Sequence, residues 1–157
     1  MKEIVNKFIA DKKPAIAGVS RDPMKFGRMI YTQLKKKGYS PAAVNPLAGD
    51  IEGEPCYSNV SEIPENIESV ILTVPAAKTE AILEDCVKAG VKRVWMHNGA
   101  GGGGAYSEKA HDFCKKNNID VVYGVCPMML FPNPGIHKVH FFFKKLFRTL
   151  PKEWQEA

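Results

Sequence analysis

The clearest chemistry in the sequence runs from Gly18 to Gly27, Gly18-Val-Ser-Arg-Asp-Pro-Met-Lys-Phe-Gly27. Gly18 and Val19 close an apolar segment, and a glycine there lets backbone approach a ligand closely. Gly27 stands where a helix begins, at a point where a Cβ would crowd an anion. Ser20, Arg21 and Lys25 add a hydroxyl and two positive charges around that helix start. Free N–H groups, a helix dipole and two cations together describe a cradle for a phosphate or pyrophosphate. The dinucleotide fingerprint Gly-x-Gly-x-x-Gly is absent, because Ser20 and Pro23 hold its later glycine positions. The acid that would hold a ribose diol after the second strand is replaced by Asn45-Pro46, and there is no Walker A loop. NAD and ATP are thereby demoted as ligands.

Other reactive side chains give less. Cys126 follows a strand and precedes Pro127, where it reads as a small buried residue at a turn. A role in thiol exchange would require a nearby base to form the thiolate. His137-x-x-His140 has no acidic or cysteine partner spaced to complete a metal site, so no metal is expected. His97 ends a strand without a nucleophile or paired acid in a recognisable order, and is expected to touch ligand or backbone. No catalytic set emerges.

The elements that position these residues alternate. Ile4, Val5, Phe8 and Ile9 share a helical face, and Pro14 ends that helix. Ala15–Val19 reads as a buried strand. Residues 25–37 read as a helix with Met29, Ile30 and Leu34 inward and Gly38 as its stop. Residues 40–46 form a second strand, and residues 47–57, with Gly49, Gly53 and Pro55, are expected to be irregular short extended pieces. Ser61–Pro64 looks like a helical turn. Residues 69–74 are the clearest strand, β-branched and apolar on both faces. A helix over 76–89 places Ala81, Ile82, Cys86 and Val87 inward, and Gly90 caps it. A strand over 91–97, a helix over 107–117 and a strand over 119–123 complete the pattern.

This alternation predicts an α/β fold in a single domain: a Rossmann-like open parallel sheet with helices on both faces. Ligands in such sheets sit beyond the carboxyl ends of the strands, where the strand order reverses. Residues 18–27, 45–46, 75–76, 97–104 and 124–127 are therefore the ones to interrogate.

The chain has 157 residues, 45% hydrophobic and 25% charged, an ordinary globular mix. No apolar run approaches the roughly 20 residues that span a bilayer. The N-terminus lacks the apolar stretch of a secretory signal, and Cys56, Cys86, Cys114 and Cys126 are scattered without a Cys-x-x-Cys. A cytoplasmic location is expected. The formal charge of +5 is uneven, with ten Lys/Arg against three acids in residues 1–37. That suits a small anionic ligand near the first helix, and no basic stripe interleaved with aromatics suggests nucleic acid. The tail from Pro134 to Leu150 is basic and amphipathic, with Ile136, Val139, His140, Phe143, Leu146, Phe147 and Leu150 along one stripe. Residues 1–134 are read as the ligand-binding domain and 135–157 as a basic helical tail that packs on the domain, in a homodimer or on a protein partner, with a membrane surface as the alternative.

Several segments then recur in an order that resembles one family. They are Gly18-Val-Ser-Arg-Asp-Pro23, Lys25-Phe-Gly27, Gly38-Tyr39, Val44-Asn-Pro46, Ile51-x-Gly53, Tyr57, Ile63-Pro64, Val74-Pro-Ala76, Gly90-Val-Lys-x-Val-Trp95 and Gly124-x-Cys126-Pro127-Met128. Over about residues 10–130 the chain resembles the small stand-alone CoA-binding proteins, whose domain is similar to that of the succinyl-CoA synthetase α subunit. The resemblance implies that Ser20, Arg21, Lys25, Phe26 and Gly27 hold the diphosphate and the nearby 3′-phosphate, with Gly18 and Val19 in the same turn. It implies that Asn45 and Pro46 lie along the nucleotide end and that Val74, Pro75 and Ala76 form an apolar shelf. Met96, His97 and Asn98 would follow the pantetheine arm. After Trp95 the chain departs from the family, reading His97-Asn-Gly-Ala-Gly-Gly-Gly-Gly104 where a glutamine and an acid are usual. Nothing corresponds to the second synthetase domain with its phosphorylated histidine. The expectation is non-catalytic binding of coenzyme A or an acyl-CoA. The alternatives are the CoA-binding component of a multi-subunit, NDP-forming acyl-CoA synthetase acting with an ATP-grasp partner, and an NAD-type regulatory module.

Overall fold

A computed structural model describes residues 1–47, 49–97, 104–129 and 131. Seven strands form one sheet: β1 (Ala15–Ala17), β2 (Ala42–Val44), β3 (Asp50–Ile51), β4 (Glu54–Tyr57), β5 (Ser69–Leu72), β6 (Arg93–Met96) and β7 (Asp120–Val122). Their spatial order is β3-β4-β2-β1-β5-β6-β7, and every neighbouring pair is parallel except β3–β4. The four helices are α1 (Lys2–Ala10), α2 (Phe26–Lys36), α3 (Ala76–Lys88) and α4 (Glu108–Lys116).

Successive strand residues point to opposite faces, which sorts the core into two layers. Ile16, Ala43, Ile71, Trp95 and Val122 face α1 and α2, where they meet Phe8, Ile30, Tyr31 and Leu34. Ala17, Val44, Val70, Leu72, Val94 and Met96 face α3 and α4, where they meet Leu83, Cys86, Ala110 and Cys114. The doubly wound architecture is thus the expected one. Each crossover helix ends alike. Tyr39, Val91 and Ile119 donate back to the carbonyls of Leu34, Cys86 and Cys114 at 3.1, 3.0 and 2.9 Å, after Gly38, Gly90 and Asn118 at positive φ. This Schellman geometry satisfies the last carbonyls and turns each chain into its next strand.

Three expectations need correction. The sheet is not wholly parallel, and the short extended pieces at 50–51 and 54–57 are strands paired into it rather than an irregular stretch. Glu52 (φ 56°) and Gly53 (φ 78°) make a two-residue turn that joins β3 and β4 into a hairpin. Positive φ at both central positions matches the twist of the flanking strands. Ile51 is buried beneath that turn, and β4 pairs in parallel with β2. Met29 is 43% exposed and Val87 41% exposed, and Ala81 also faces solvent. The buried stripes are Gly27-Ile30-Tyr31-Leu34 on α2 and Thr79-Leu83-Cys86 on α3, because the flanking sheet decides which helical phase is inward. The tail from residue 132 lies outside the described residues. Among those that are described, no helix is long and apolar enough to cross a membrane.

Candidate functional site

The chain leaves β1 through α2 toward β2 on one side, and leaves β5 through α3 toward β6 on the other. The carboxyl ends of β1 and β5 therefore flank the point where strand order reverses. Here Thr73 is the organising residue. Its N–H and its Oγ1 both donate to the carbonyl of Ala17, at 2.9 and 2.7 Å. Gly18 follows at φ 100°, with its N–H donated to Val44 at 2.9 Å, and a Cβ there would come within 2.7 Å of Thr73 Oγ1. A Cβ on Gly27 would strike the Gly18 carbonyl oxygen and lie 2.5 Å from Thr73 Oγ1. Gly27 thus lets the first turn of α2 sit directly on the end of β1. The space its Cβ would need is filled by the Gly18 carbonyl and the Thr73 hydroxyl.

Between the two glycines the loop is held by short links. Ser20 Oγ accepts from the Asp22 N–H at 3.1 Å, and Asp22 Oδ1 accepts from the Met24 N–H at 2.9 Å. Asn45 Nδ2 donates to the Val19 carbonyl at 2.8 Å while its Oδ1 accepts from Leu47 N–H at 3.0 Å. Asn45 thereby ties the end of β2 to the loop.

The helix starts differ in a telling way. The N-terminus of α4 is capped by Ser107, which accepts from Ala110 N–H, and carries Glu108; α1 carries Glu3 in its first turn. Neither α2 nor α3 has a side-chain cap or an acid in its first turn. These two helices are the ones that start beside β1 and β5. Their first amides and dipoles favour negative charge, and the exposed Arg21 and Lys25 lie on the loop that leads into α2.

A groove of about 640 Å³ opens at this point, between the loop after β2 and the outer face of α3. It unites Gly18, Asn45, Pro46, Val74 and Pro75 of the expected residues with Leu47, Thr73, Lys78 and Ile82, which the sequence reading passed over. Thr73 could have been found as a hydroxyl at the end of the clearest strand. Lys78 had no signal, since a lysine on a helix is ordinary. Asp85 on the same wall is occupied structurally, accepting from the N–H groups of Val60 and Ser61 at 2.6 and 3.1 Å.

The remaining expected residues are placed elsewhere. Ser20, Arg21, Lys25 and Phe26 lie on the loop and first turn beside the groove rather than in its lining. The ring of Phe26 stacks on that of His97, with centroids 3.8 Å apart and 23° between planes. Ala76 is the first residue of α3. The side chains of Val19 and Met96 are fully buried, so those two positions offer backbone only. Asn98 lies outside the described residues. Two smaller hollows, of about 340 and 380 Å³, sit by the amino ends of β2 and β7 and meet none of these groups. Among the described residues no group of three His, Cys, Asp or Glu could hold a metal. None of the four cysteines forms a disulfide; burial pushes the thiols of Cys86 and Cys114 up to about 12, and raises that of Cys56 as well.

A profile for the CoA binding domain matches residues 12–132. Over 98% of its length the chain is 27% identical to the acetate–CoA ligase (ADP-forming) II subunit alpha of Pyrococcus furiosus, covering 34% of that subunit. It is 31% identical to the acetate–CoA ligase (ADP-forming) of Methanocaldococcus jannaschii over 76% of the chain and 18% of the ligase. The chain thus spans about a third or less of these curated relatives. Among solved structures, a hypothetical protein from Pyrococcus horikoshii superposes with a TM-score of 0.72 at 27% identity, over 82% of this chain and 87% of that one. The acetyl-coenzyme A synthetase 1 of Ca. Korarchaeum cryptofilum gives a TM-score of 0.65 at 27% identity, over 74% of this chain and 26% of the synthetase.

Proposed function

This chain belongs to the CoA binding domain family, and on that premise we propose that it binds coenzyme A or an acyl-CoA across the carboxyl ends of β1 and β5. The observation that carries the reading is the pair of helix starts, α2 and α3, that lack both caps and acids and follow β1 and β5, with the α3 start opening on the groove. A ligand with a diphosphate supplies the negative charge that these amides, Arg21 and Lys25 complement. The groove wall of Val74, Pro75 and Ile82 offers an apolar surface to an adenine or a pantetheine arm, and Lys78 stands at its side. Bound CoA would supply a thiol that carries an acyl group as a thioester. This chain's share is to hold the ligand, and no turnover is assigned to it alone. Four cysteines without a disulfide suit the reducing, cytoplasmic setting we propose for it.

Thermal shift with CoA, dephospho-CoA, acetyl-CoA, NAD and ATP tests the reading. A ligand at about 100 times its Kd stabilises by roughly 2.7 kcal/mol, or on the order of 5–10 °C here. The expected result is a shift with CoA and acetyl-CoA, a smaller one with dephospho-CoA and none with NAD. No shift with any CoA species overturns it. A second reading, the CoA-binding component of a multi-subunit acyl-CoA synthetase, is favoured by the ligase relatives of which this chain spans a part. In that case acetate, ATP and CoA yield acetyl-CoA, ADP and phosphate only when the subunits that carry the ATP-grasp and phosphohistidine domains are added.

A further inference from the structure

Arg28 joins the loop that carries Arg21 and Lys25 to the hairpin at the edge of the sheet. Arg28, on the first turn of α2, donates from Nη1 to the carbonyls of Ser20 and Arg21, each at 3.4 Å. Its Nη2 donates to Glu52 Oε1 at 2.9 Å. Glu52 sits at the tip of the β3–β4 hairpin in a left-handed conformation, and also accepts from Thr32 Oγ1 at 3.2 Å with Lys35 Nζ 3.7 Å away. The Arg28 side chain is only 14% exposed, against 34% for Glu52.

We propose that Arg28, braced by Glu52, is a positioning residue that sets the backbone of the 20–25 loop for a phosphate-bearing ligand; this deepens the CoA reading and rests on it. The argument is geometric. The loop's peptides are all trans, so an N–H points opposite its own carbonyl. Drawing the Ser20 carbonyl to Arg28 turns the Arg21 N–H away from it, and the one Nη1 reaches two successive carbonyls while Nη2 holds Glu52. The links from Ser20 to Asp22 and from Asp22 to Met24 and Lys25 span only two or three residues, so they shape the turn itself. The positive charge of Arg28 is matched by the carboxylate beside it. Arg21 and Lys25 supply the attraction, whereas Arg28 supplies direction.

Glu52→Gln separates direction from attraction. The substitution makes the site more positive, so simple charge attraction predicts tighter CoA binding, and the clamp predicts weaker binding. Calorimetric titration of CoA into full-length wild type, Glu52→Gln and Arg28→Lys is paired with amide hydrogen exchange of residues 21–25 without ligand. The expected result is faster exchange confined to this loop in both variants, with CoA weakened severalfold in Glu52→Gln and about tenfold in Arg28→Lys. Unchanged exchange in both variants overturns the clamp and leaves CoA binding standing. Equal or tighter CoA binding by Glu52→Gln overturns the positioning role. Failure of the wild type to bind CoA overturns the parent reading and the positioning role with it, whatever the exchange shows.

Discussion

At the scale of single residues, the two glycines and two cations of the 18–27 loop do different work. Gly27 meets the Gly18 carbonyl and Thr73, so it serves the contact between α2 and β1. Lys25 and Arg21 are exposed. Gly27→Ala should therefore lower stability by about 1–3 kcal/mol, because the Cβ meets backbone that cannot swing aside. Lys25→Ala should leave the melting temperature unchanged and weaken CoA by about tenfold, the low end for a charge-assisted bond since the side chain is solvated. Melting curves with CoA titrations of the two variants check the division. A Gly27→Ala protein of wild-type stability would return that glycine to the ligand. Asn45 belongs with Gly27, since both of its amide atoms are engaged by the chain itself.

At the scale of elements, the β3–β4 hairpin is fastened to α2 by carboxylates. Tyr31 donates to Glu54 Oε2 at 2.7 Å, and Lys35 Nζ lies 2.7 Å from Glu54 Oε1. Burial first, and then Glu54, pushes the Tyr31 phenol well above its usual range, so it remains a donor. Arg28 holds Glu52, and Lys35 holds Glu54, below the ordinary carboxylate value of 4.5. A folded-state value below the unfolded one gives stability that is present above pH 4.5 and lost as pH falls below it. Melting temperature should fall on acidification through this window. Glu52→Gln combined with Glu54→Gln should flatten that decline, and an unchanged acid slope would mean these exposed pairs contribute nothing. The hairpin was not legible in the sequence. Its strands are two and four residues long and interrupted by Gly53 and Pro55, below the length at which alternation is visible.

At the scale of the whole molecule, the α3–α4 layer is closed over two thiols, Cys86 and Cys114, both fully buried. Burial raises each from 9.0 to about 12, so folding favours the protonated form. Because the folded value is the higher one, this contribution is complete below pH 9 and is lost as pH rises toward 12. The melting temperature should fall from pH 9 upward, and Cys86→Ala with Cys114→Ala should flatten that fall while costing packing energy at neutral pH. Alkylation at pH 8 should mark these two thiols at the rate of unfolding, and faster marking would place them nearer the surface. The opposite layer is knitted by Trp95, which donates its indole N–H to the Val125 carbonyl at 3.0 Å and meets Phe8 edge-on at 5.4 Å. That bond carries the chain after β7 back over the α1 face.

By itself the sequence determined the alternation of strands and helices and the glycine stops of α2 and α3. These are local properties, written in periodicities of two and 3.6 residues and in backbone conformations that few residues accept. Only the tertiary structure decided that β1 lies between β2 and β5, which brings Thr73 onto Ala17 across 56 residues. It also decided the inward face of α2 and α3, the stack of Phe26 on His97, and the pairing of Arg28 with Glu52 across 24 residues. Such contacts arise from burial and strand pairing between distant segments, and no local period encodes which segments meet.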